Sequence, residues 1–157
     1  SLPEEITALH YLQGFYANGN RLSEFPQQIL LLPLLSRVDL SENQISEIPS
    51  EIMMMDQLVR LSMDKNVITR LPVQLYELKN LEILELKENG LSTIPVGISN
   101  LTRLRKLDLA HNQLSTIPGE ITTMSNHLKE LNLQGNSISQ EEIGWLIKAM
   151  PETQIRY

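Results

Sequence analysis

Histidine is the side chain best suited to acid–base catalysis or metal binding near neutral pH, and the sequence has three: His10, His111 and His127. They stand at unrelated places in the repeating pattern described below, so their spacing predicts no shared metal site and no cofactor. An isolated histidine more commonly lies in a loop or in solvent. The seven glycines are scattered in turns and form no phosphate-binding loop. No nucleophile, base and orienting residue are brought together either, so we expect no enzymatic activity.

The composition sets limits on the fold and on the partners. Of 157 residues, 41% are hydrophobic but only 4% are aromatic, which predicts one domain with an aliphatic core. The 13 basic and 19 acidic residues give a net charge of −6, which argues against nucleic acid as a partner. The absence of Cys excludes disulfides and thiolate chemistry. No apolar run reaches membrane-spanning length, and no signal-peptide pattern follows Ser1.

Asparagines recur along the chain at a nearly constant interval. Their separations are 23, 23, 23, 23 and 24 residues, for Asn20, Asn43, Asn66, Asn89, Asn112 and Asn136. Each closes a phrase of the form leucine-x-x-leucine-x-leucine-x-x-asparagine, clearest in Leu104–Asn112. A fixed period of this length indicates a solenoid, in which each coil is too small to bury its own apolar face.

Each phrase predicts a short strand followed by a turn. In Leu104–Asn112, Leu107 and Leu109 alternate with Lys106 and Asp108, so the leucines face inward and the charged residues outward. The closing asparagine can hydrogen-bond backbone groups that the turn leaves unpaired.

The segments between phrases also repeat. Each holds a hydrophobic residue followed by proline: Leu2-Pro3, Phe25-Pro26, Ile48-Pro49, Leu71-Pro72, Ile94-Pro95 and Ile117-Pro118. Ile or Leu follows three residues after the proline, and Leu or Met three residues later. This spacing predicts a helical or 3₁₀ turn on the back of each coil, begun by the proline.

The pattern changes near the C-terminus. Ser139–Glu142 has the sequence of a capping box, so we expect a helix from about Gln140 to Met150, stopped by Pro151. The residues expected on its buried face are Ile143, Leu146 or Ile147, and Met150. A short edge strand is predicted for 153–157.

The N-terminus begins within a repeat. Residues 1–11 form a partial coil, so we expect an upstream segment to have been removed before Ser1. Leu2, Ile6 and Leu9 should be only partly covered, because no polar cap precedes them.

These coils resemble leucine-rich repeats, in the short variety written leucine-proline-x-x-isoleucine-x-x-leucine. The resemblance covers residues 1 to about 138, with Ala17 in place of one leucine and one residue inserted near 125–127. It implies an α/β solenoid: a right-handed superhelix with a parallel β-sheet on the concave face, short helical or 3₁₀ turns on the convex face and a helical C-terminal cap. The single domain then comprises the partial repeat 1–11, about six repeats over 12–138 and the cap 139–157. The cap is similar to that of small bacterial leucine-rich repeat proteins, particularly the spirochaete type.

The outward residues of the predicted strands form the first candidate binding surface. A basic column lies beside an acidic one, and the candidate protein-binding residues are Tyr16, Arg37, Asp39, Arg60, Ser62, Ile83, Glu85, Lys106 and Asp108. Tyr16 and Ile83 are its apolar anchors, too far apart for one small-molecule pocket, which favours a macromolecular ligand. The alternative is that these charges pair with one another and keep the sheet soluble.

The second candidate surface lies on the back of three adjacent coils. Apolar residues stand there where solvent exposure is expected: Leu30, Leu31, Leu34, Met53, Met54 and Tyr76. Such a patch can mark an interface for a partner or for weak self-association. The alternative is that a local helix rotates and buries these side chains.

The best-supported functional expectation is a non-catalytic protein–protein interaction module that binds a macromolecular ligand through its concave sheet. The resemblance implies an exported bacterial surface protein that contacts host proteins. The alternatives are a structural repeat segment of a larger scaffold and an intracellular signalling adaptor, since similar repeats also occur in eukaryotic scaffolds. The resemblance favours an extracellular or cell-surface location, although a cytoplasmic one stays open.

Overall fold

The computed structural model describes residues 2–157, so Ser1 and the prediction made for it lie outside the described part of the chain. Seven strands of three residues each form one sheet in chain order, and all neighbours are parallel. Their bounds are β1 Gly14–Tyr16, β2 Arg37–Asp39, β3 Arg60–Ser62, β4 Ile83–Glu85, β5 Lys106–Asp108, β6 Glu130–Asn132 and β7 Gln154–Arg156.

The inward side chains of successive strands stack in register. Leu61 of β3 stands beside Leu84 of β4, and Leu84 beside Leu107 of β5. All three are 0% exposed and belong to one continuous aliphatic cluster. Each coil therefore covers the apolar side chains of the next coil, as the repeat period predicts.

The back of each coil is a 3₁₀ turn. The six turns are Glu4–Ala8, Gln27–Leu31, Ser50–Met54, Val73–Glu77, Val96–Asn100 and Gly119–Met124. A proline precedes each one, with φ from −61° at Pro118 to −71° at Pro72, the value that its ring imposes. The predicted helical or 3₁₀ turns are thus confirmed as 3₁₀ turns.

The repeated asparagines hold neighbouring coils together. The Asn66 side-chain oxygen accepts the Ile45 backbone N–H at 2.9 Å, and its amide group donates to Leu40 O and Met63 O at 3.0 and 3.1 Å. The other asparagines that bond both to their own turn and to the preceding coil are Asn43, Asn89, Asn112 and Asn136. Each side chain pairs backbone groups that a turn leaves free.

The C-terminal cap contains the predicted helix and strand. Helix α1 spans Gln140–Ala149, and Ser139 caps it by accepting the Glu142 N–H at 3.2 Å. The buried face consists of Ile143, Leu146 and Met150, whereas Ile147 is exposed. β7 then pairs with β6, so the edge strand is confirmed.

The capping-box prediction is wrong in one detail. The carboxylate of Glu142 does not return to Ser139; it accepts the backbone N–H of Ile117 at 2.7 Å. The side chain thus ties α1 to the preceding coil, where it pairs a backbone group that the coil does not pair itself.

At the other end of the solenoid, Leu2 and Ile6 are half-buried against the aliphatic cluster. Leu9 is 51% exposed, although its counterparts Leu32 and Met55 are buried. The partial covering predicted for the first coil is therefore present. Among the described residues, no helix has both the length and the apolar character needed to span a bilayer.

Candidate protein-binding surfaces

The concave face consists of the outward residues of β1–β7 and of the residue two places after each strand. Strand register lines up Arg37 with Arg60, Arg60 with Ile83, and Ile83 with Lys106. Two residues further along each strand, the aligned outward residues are Tyr16, Asp39, Ser62, Glu85, Asp108, Asn132 and Arg156. The predicted columns are therefore real columns on a shared sheet.

Glu85 is the centre of a cluster on this face. Its carboxylate accepts hydrogen bonds from Arg60 Nη2 at 2.8 Å, Ser62 Oγ at 2.6 Å and Lys106 Nζ at 2.7 Å. Arg60 Nε also donates to Ser62 Oγ at 3.1 Å. Four of the predicted binding residues, contributed by three strands, therefore form one polar network.

Burial and pairing act against each other at Glu85, which is only 7% exposed. Burial alone would raise its pKa, but the hydrogen bonds from Lys106 and Ser62 and the charges of Lys106 and Arg60 hold the pKa below its ordinary value. The hydrogen bond to Glu85 in turn raises the pKa of Lys106. Both groups are therefore charged at neutral pH, and their side chains are fixed in position.

Asp64 carries a less well compensated charge. It stands two residues after β3, and its Oδ1 accepts the Lys87 backbone N–H at 2.7 Å. Burial raises its pKa to about 6, the Lys87 hydrogen bond opposes this rise, and the charges of Glu85 and Asp108 add to it. Asp64 is not among the candidate residues predicted from the sequence, although its place beside the acidic column was a usable signal.

The other predicted concave residues differ in their exposure. Tyr16 is 65% exposed and Arg37 is exposed, whereas Ile83 and Asp39 are half-buried. Asp108 accepts hydrogen bonds from the Ala110 N–H and from Asn132 Nδ2. Tyr16 and Ile83 lie three strands apart, so the structure does not bring the two anchors into one pocket.

The expectation that the convex candidates are exposed is confirmed for four residues and wrong for two. Leu31, Leu34, Met53 and Met54 are 60%, 43%, 50% and 55% exposed. Leu30 and Tyr76 are only 6% and 2% exposed, because both pack into the aliphatic cluster. The side chain that follows the buried isoleucine or leucine of a turn can therefore pack into the core where neighbouring residues leave space for it.

Gly97 on the next coil provides that room for Tyr76. A β-carbon at Gly97 would fall 2.6 Å from ring atom Cδ2 of Tyr76, so only glycine leaves space for the ring. The Tyr76 hydroxyl is buried and has no hydrogen-bond partner among residues 2–157. Burial also raises the pKa of this phenol. The ring is thus a packing element rather than a surface anchor.

The histidines stay apart in the structure. His10 and His111 are exposed and His127 is half-buried, in three different parts of the solenoid. Within the described range there is no group of three or more His, Cys, Asp or Glu side chains that could hold a metal ion.

Comparison with known proteins agrees with this architecture. A family model described as leucine rich repeat matches residues 56–114, and one described as leucine rich repeats in two copies matches 102–144. No curated protein sequence matches the chain.

Solved structures from bacteria and plants share the fold. A leucine-rich repeat protein of Leptospira interrogans has a TM-score of 0.94 and 37% identity, over 100% of this chain and 40% of that one. An internalin of Listeria monocytogenes has a TM-score of 0.84 and 26% identity, over 98% and 43%. The ectodomain of the Arabidopsis thaliana receptor kinase GASSHO1/SCHENGEN3, solved in complex with CASPARIAN STRIP INTEGRITY FACTOR 2, has a TM-score of 0.79 and 30% identity, over 99% and 19%. The chain thus spans less than half the length of each of these proteins.

Proposed function

The chain belongs to the leucine-rich repeat family, and we propose that it is a non-catalytic module that binds another protein through its concave face. The proposed contact residues are Tyr16, Arg37, Asp39, Arg60, Ile83, Lys106 and Asp108, and Ser62 and Glu85 support them from within the same surface. Leucine-rich repeat proteins commonly serve as protein-interaction scaffolds. The plant receptor-kinase ectodomain that shares this fold is solved in complex with CASPARIAN STRIP INTEGRITY FACTOR 2.

The observation that carries the proposal is the network around Glu85. The side chains of Arg60 and Lys106 donate short hydrogen bonds to the buried carboxylate of Glu85. The strands that carry them pack with their inward side chains in the aliphatic cluster. A surface whose side chains are already ordered loses little entropy on binding. Ser62 and Glu85 are mostly covered, so their part is to position the two cations rather than to touch the partner.

For the biological setting, we favour an exported bacterial surface protein that contacts host proteins. The similarity to proteins of Leptospira interrogans and Listeria monocytogenes supports it. A repeat segment of a larger scaffold is the competing interpretation, supported by the greater length of these relatives. The native sequence upstream of Ser1 separates the two, since an export signal supports the first interpretation and further repeats the second.

Affinity capture with the immobilised chain tests the concave proposal. The concave variant combines Tyr16→Ala with Arg37→Glu, because both side chains are exposed and neither belongs to the Glu85 network. Tyrosine and arginine are the usual interface hot spots, so binding of the captured partner should weaken by about 2 kcal/mol or more.

The matched control carries Leu31→Glu and Met54→Glu on the opposite face. We expect this control to retain the captured partner with unchanged affinity in titration calorimetry. Loss of that partner by the control, with the concave variant unaffected, would contradict the assignment of binding to the concave face.

A further inference from the structure

Five exposed apolar side chains form a strip across the backs of the first three coils. This convex strip consists of Tyr11, Leu31, Leu34, Met53 and Met54, which are 89%, 60%, 43%, 50% and 55% exposed. Tyr11 and Leu34 occupy equivalent positions of neighbouring coils, as do Leu31 and Met54, because each pair is separated by one 23-residue period. Contiguous exposed apolar surface of this kind marks an interaction site more often than scattered residues do.

The repeat itself does not require apolar residues at these positions. In the later coils the counterparts of Leu31 and Met54 are Glu77, Asn100 and Thr123. The counterparts of Leu34 include Asn80 and Arg103. All five of these counterparts are polar, so the fold is maintained without an apolar strip. The strip is therefore a local addition to the first three coils, separate from the stacking that stabilises the solenoid.

The surroundings of the convex strip are acidic. The backs of the first three coils, residues 2–11, 25–34 and 48–57, contain four carboxylates, Glu4, Glu5, Glu51 and Asp56, and no Lys or Arg. All four carboxylate residues are exposed. The nearest lysine on the next coil, Lys79, already lies 3.8 Å from Glu77.

The negative charge around the convex strip favours one class of ligand over others. A second copy of the chain would place its own carboxylates against these, and like charges across an interface oppose association. An anionic lipid surface would be repelled for the same reason. A protein segment with apolar anchors flanked by lysine or arginine satisfies both the strip and its acidic rim.

The arrangement of the coils suits a helix. The 3₁₀ turns of neighbouring coils pack directly against one another, and the apolar residues on one helix face, three or four positions apart, rise about 5 Å per step. A helix lying across the coils can therefore set one apolar side chain against each coil in turn. Met53 and Met54 add flexible side chains that adapt to a helical ligand.

We propose that the convex strip is a second binding surface, which docks a cationic amphipathic helix of a partner protein. It lies on the face opposite the concave sheet, so the chain would contact two partner segments at once.

Fluorescence anisotropy with three labelled peptides tests this proposal on the full chain. The first peptide is a leucine–lysine amphipathic helix with leucines at i, i+3, i+4 and i+7, the second replaces every lysine by glutamate, and the third scrambles the first. The strip variant carries Leu31→Glu and Met54→Glu. The control carries Asn100→Glu and Thr123→Glu, which add the same charge at equivalent positions of later coils.

We expect the wild type and the control to bind the leucine–lysine helix, and the strip variant to bind it at least about tenfold more weakly. The glutamate and scrambled peptides should bind at least about tenfold more weakly to the wild type. Because the strip variant is more acidic, purely electrostatic attraction would strengthen its binding instead. Equal or tighter binding by the strip variant would overturn the proposal, as would sedimentation that shows a dimer lost in that variant.

Discussion

Asp64 is the residue whose ionisation opposes folding most clearly. A carboxyl whose pKa rises from 3.8 to about 6 on folding binds its proton more tightly in the folded state. Its contribution to stability is therefore greatest at low pH and falls as the pH rises from about 4 through 6. Glu85 behaves oppositely, because its lowered pKa gives stability that is lost as the pH falls through its titration.

Replacing Asp64 with Asn removes the unfavourable charge and keeps an oxygen for the Lys87 N–H. We predict that Asp64→Asn raises the urea midpoint relative to wild type at pH 7.5, and that the gain shrinks toward pH 4.5. Asp56→Asn, which removes an exposed carboxylate from the convex side, is the control and should show no such pH-dependent gain. A gain for Asp64→Asn that is the same at both pH values would show that burial does not penalise the Asp64 carboxylate.

The burial of Tyr76 and the raised pKa of Asp64 could not be predicted from the sequence. The column position of Tyr76 is shared with Met53, so periodicity alone assigns both to the surface. The ring is buried because Gly97, one coil away, lacks a side chain. A contact between coils of this kind depends on a pair of residues 21 positions apart, which the single-coil pattern does not encode. The raised pKa of Asp64 has the same origin, since it depends on burial and on neighbouring strands.

At the scale of elements, the asparagine turns link the coils by hydrogen bonds. Asn66 hydrogen-bonds to four backbone groups in two coils and is 7% exposed. Asn20 makes the same kind of turn but is exposed and donates only to Ala17 O and Asn18 O of its own coil. The two residues therefore form a matched pair that separates inter-coil bonding from turn formation.

We predict that Asn66→Ala lowers the free energy of unfolding by about 1–3 kcal/mol, because the buried Ile45 N–H loses its only partner. The Leu40 and Met63 carbonyls each lose one of two bonds and keep the bond from Asn43 or Asn89. Asn20→Ala should change it by less than about 0.5 kcal/mol, as for other exposed positions. Urea denaturation at constant pH measures both variants. Equal losses at the two sites would mean that the asparagine only shapes its own turn.

The elements themselves were largely predictable. The strands, the 3₁₀ turns after each proline, the Ser139 cap and helix α1 follow from local residue types and the 23-residue period. The bond from Glu142 to Ile117 was not predictable, because two acceptable partners compete for that carboxylate and only the docked helix decides between them.

At the scale of the molecule, the continuous aliphatic interior makes the concave sheet rigid. The sequence predicts this interior well, because every coil repeats the same inward positions. It predicts the candidate concave residues but not their division into exposed and covered ones, which depends on side-chain length in adjacent columns. Ser62 is covered at 3% while Tyr16 in the same column stays 65% exposed.

Urea unfolding of Leu107→Ala tests the shared interior most directly. Leu107 is 0% exposed and lies between Leu84 and Leu131 in the sheet. The cavity should cost about 2–5 kcal/mol of unfolding free energy. Trp145, the single tryptophan, reports on the C-terminal cap by fluorescence, and far-ultraviolet circular dichroism reports on all coils. We predict that both probes report one coincident transition, with the unfolding free energy lowered by that amount. A loss below about 1 kcal/mol would contradict the account, as would a Trp145 transition that moves while the circular dichroism transition stays in place.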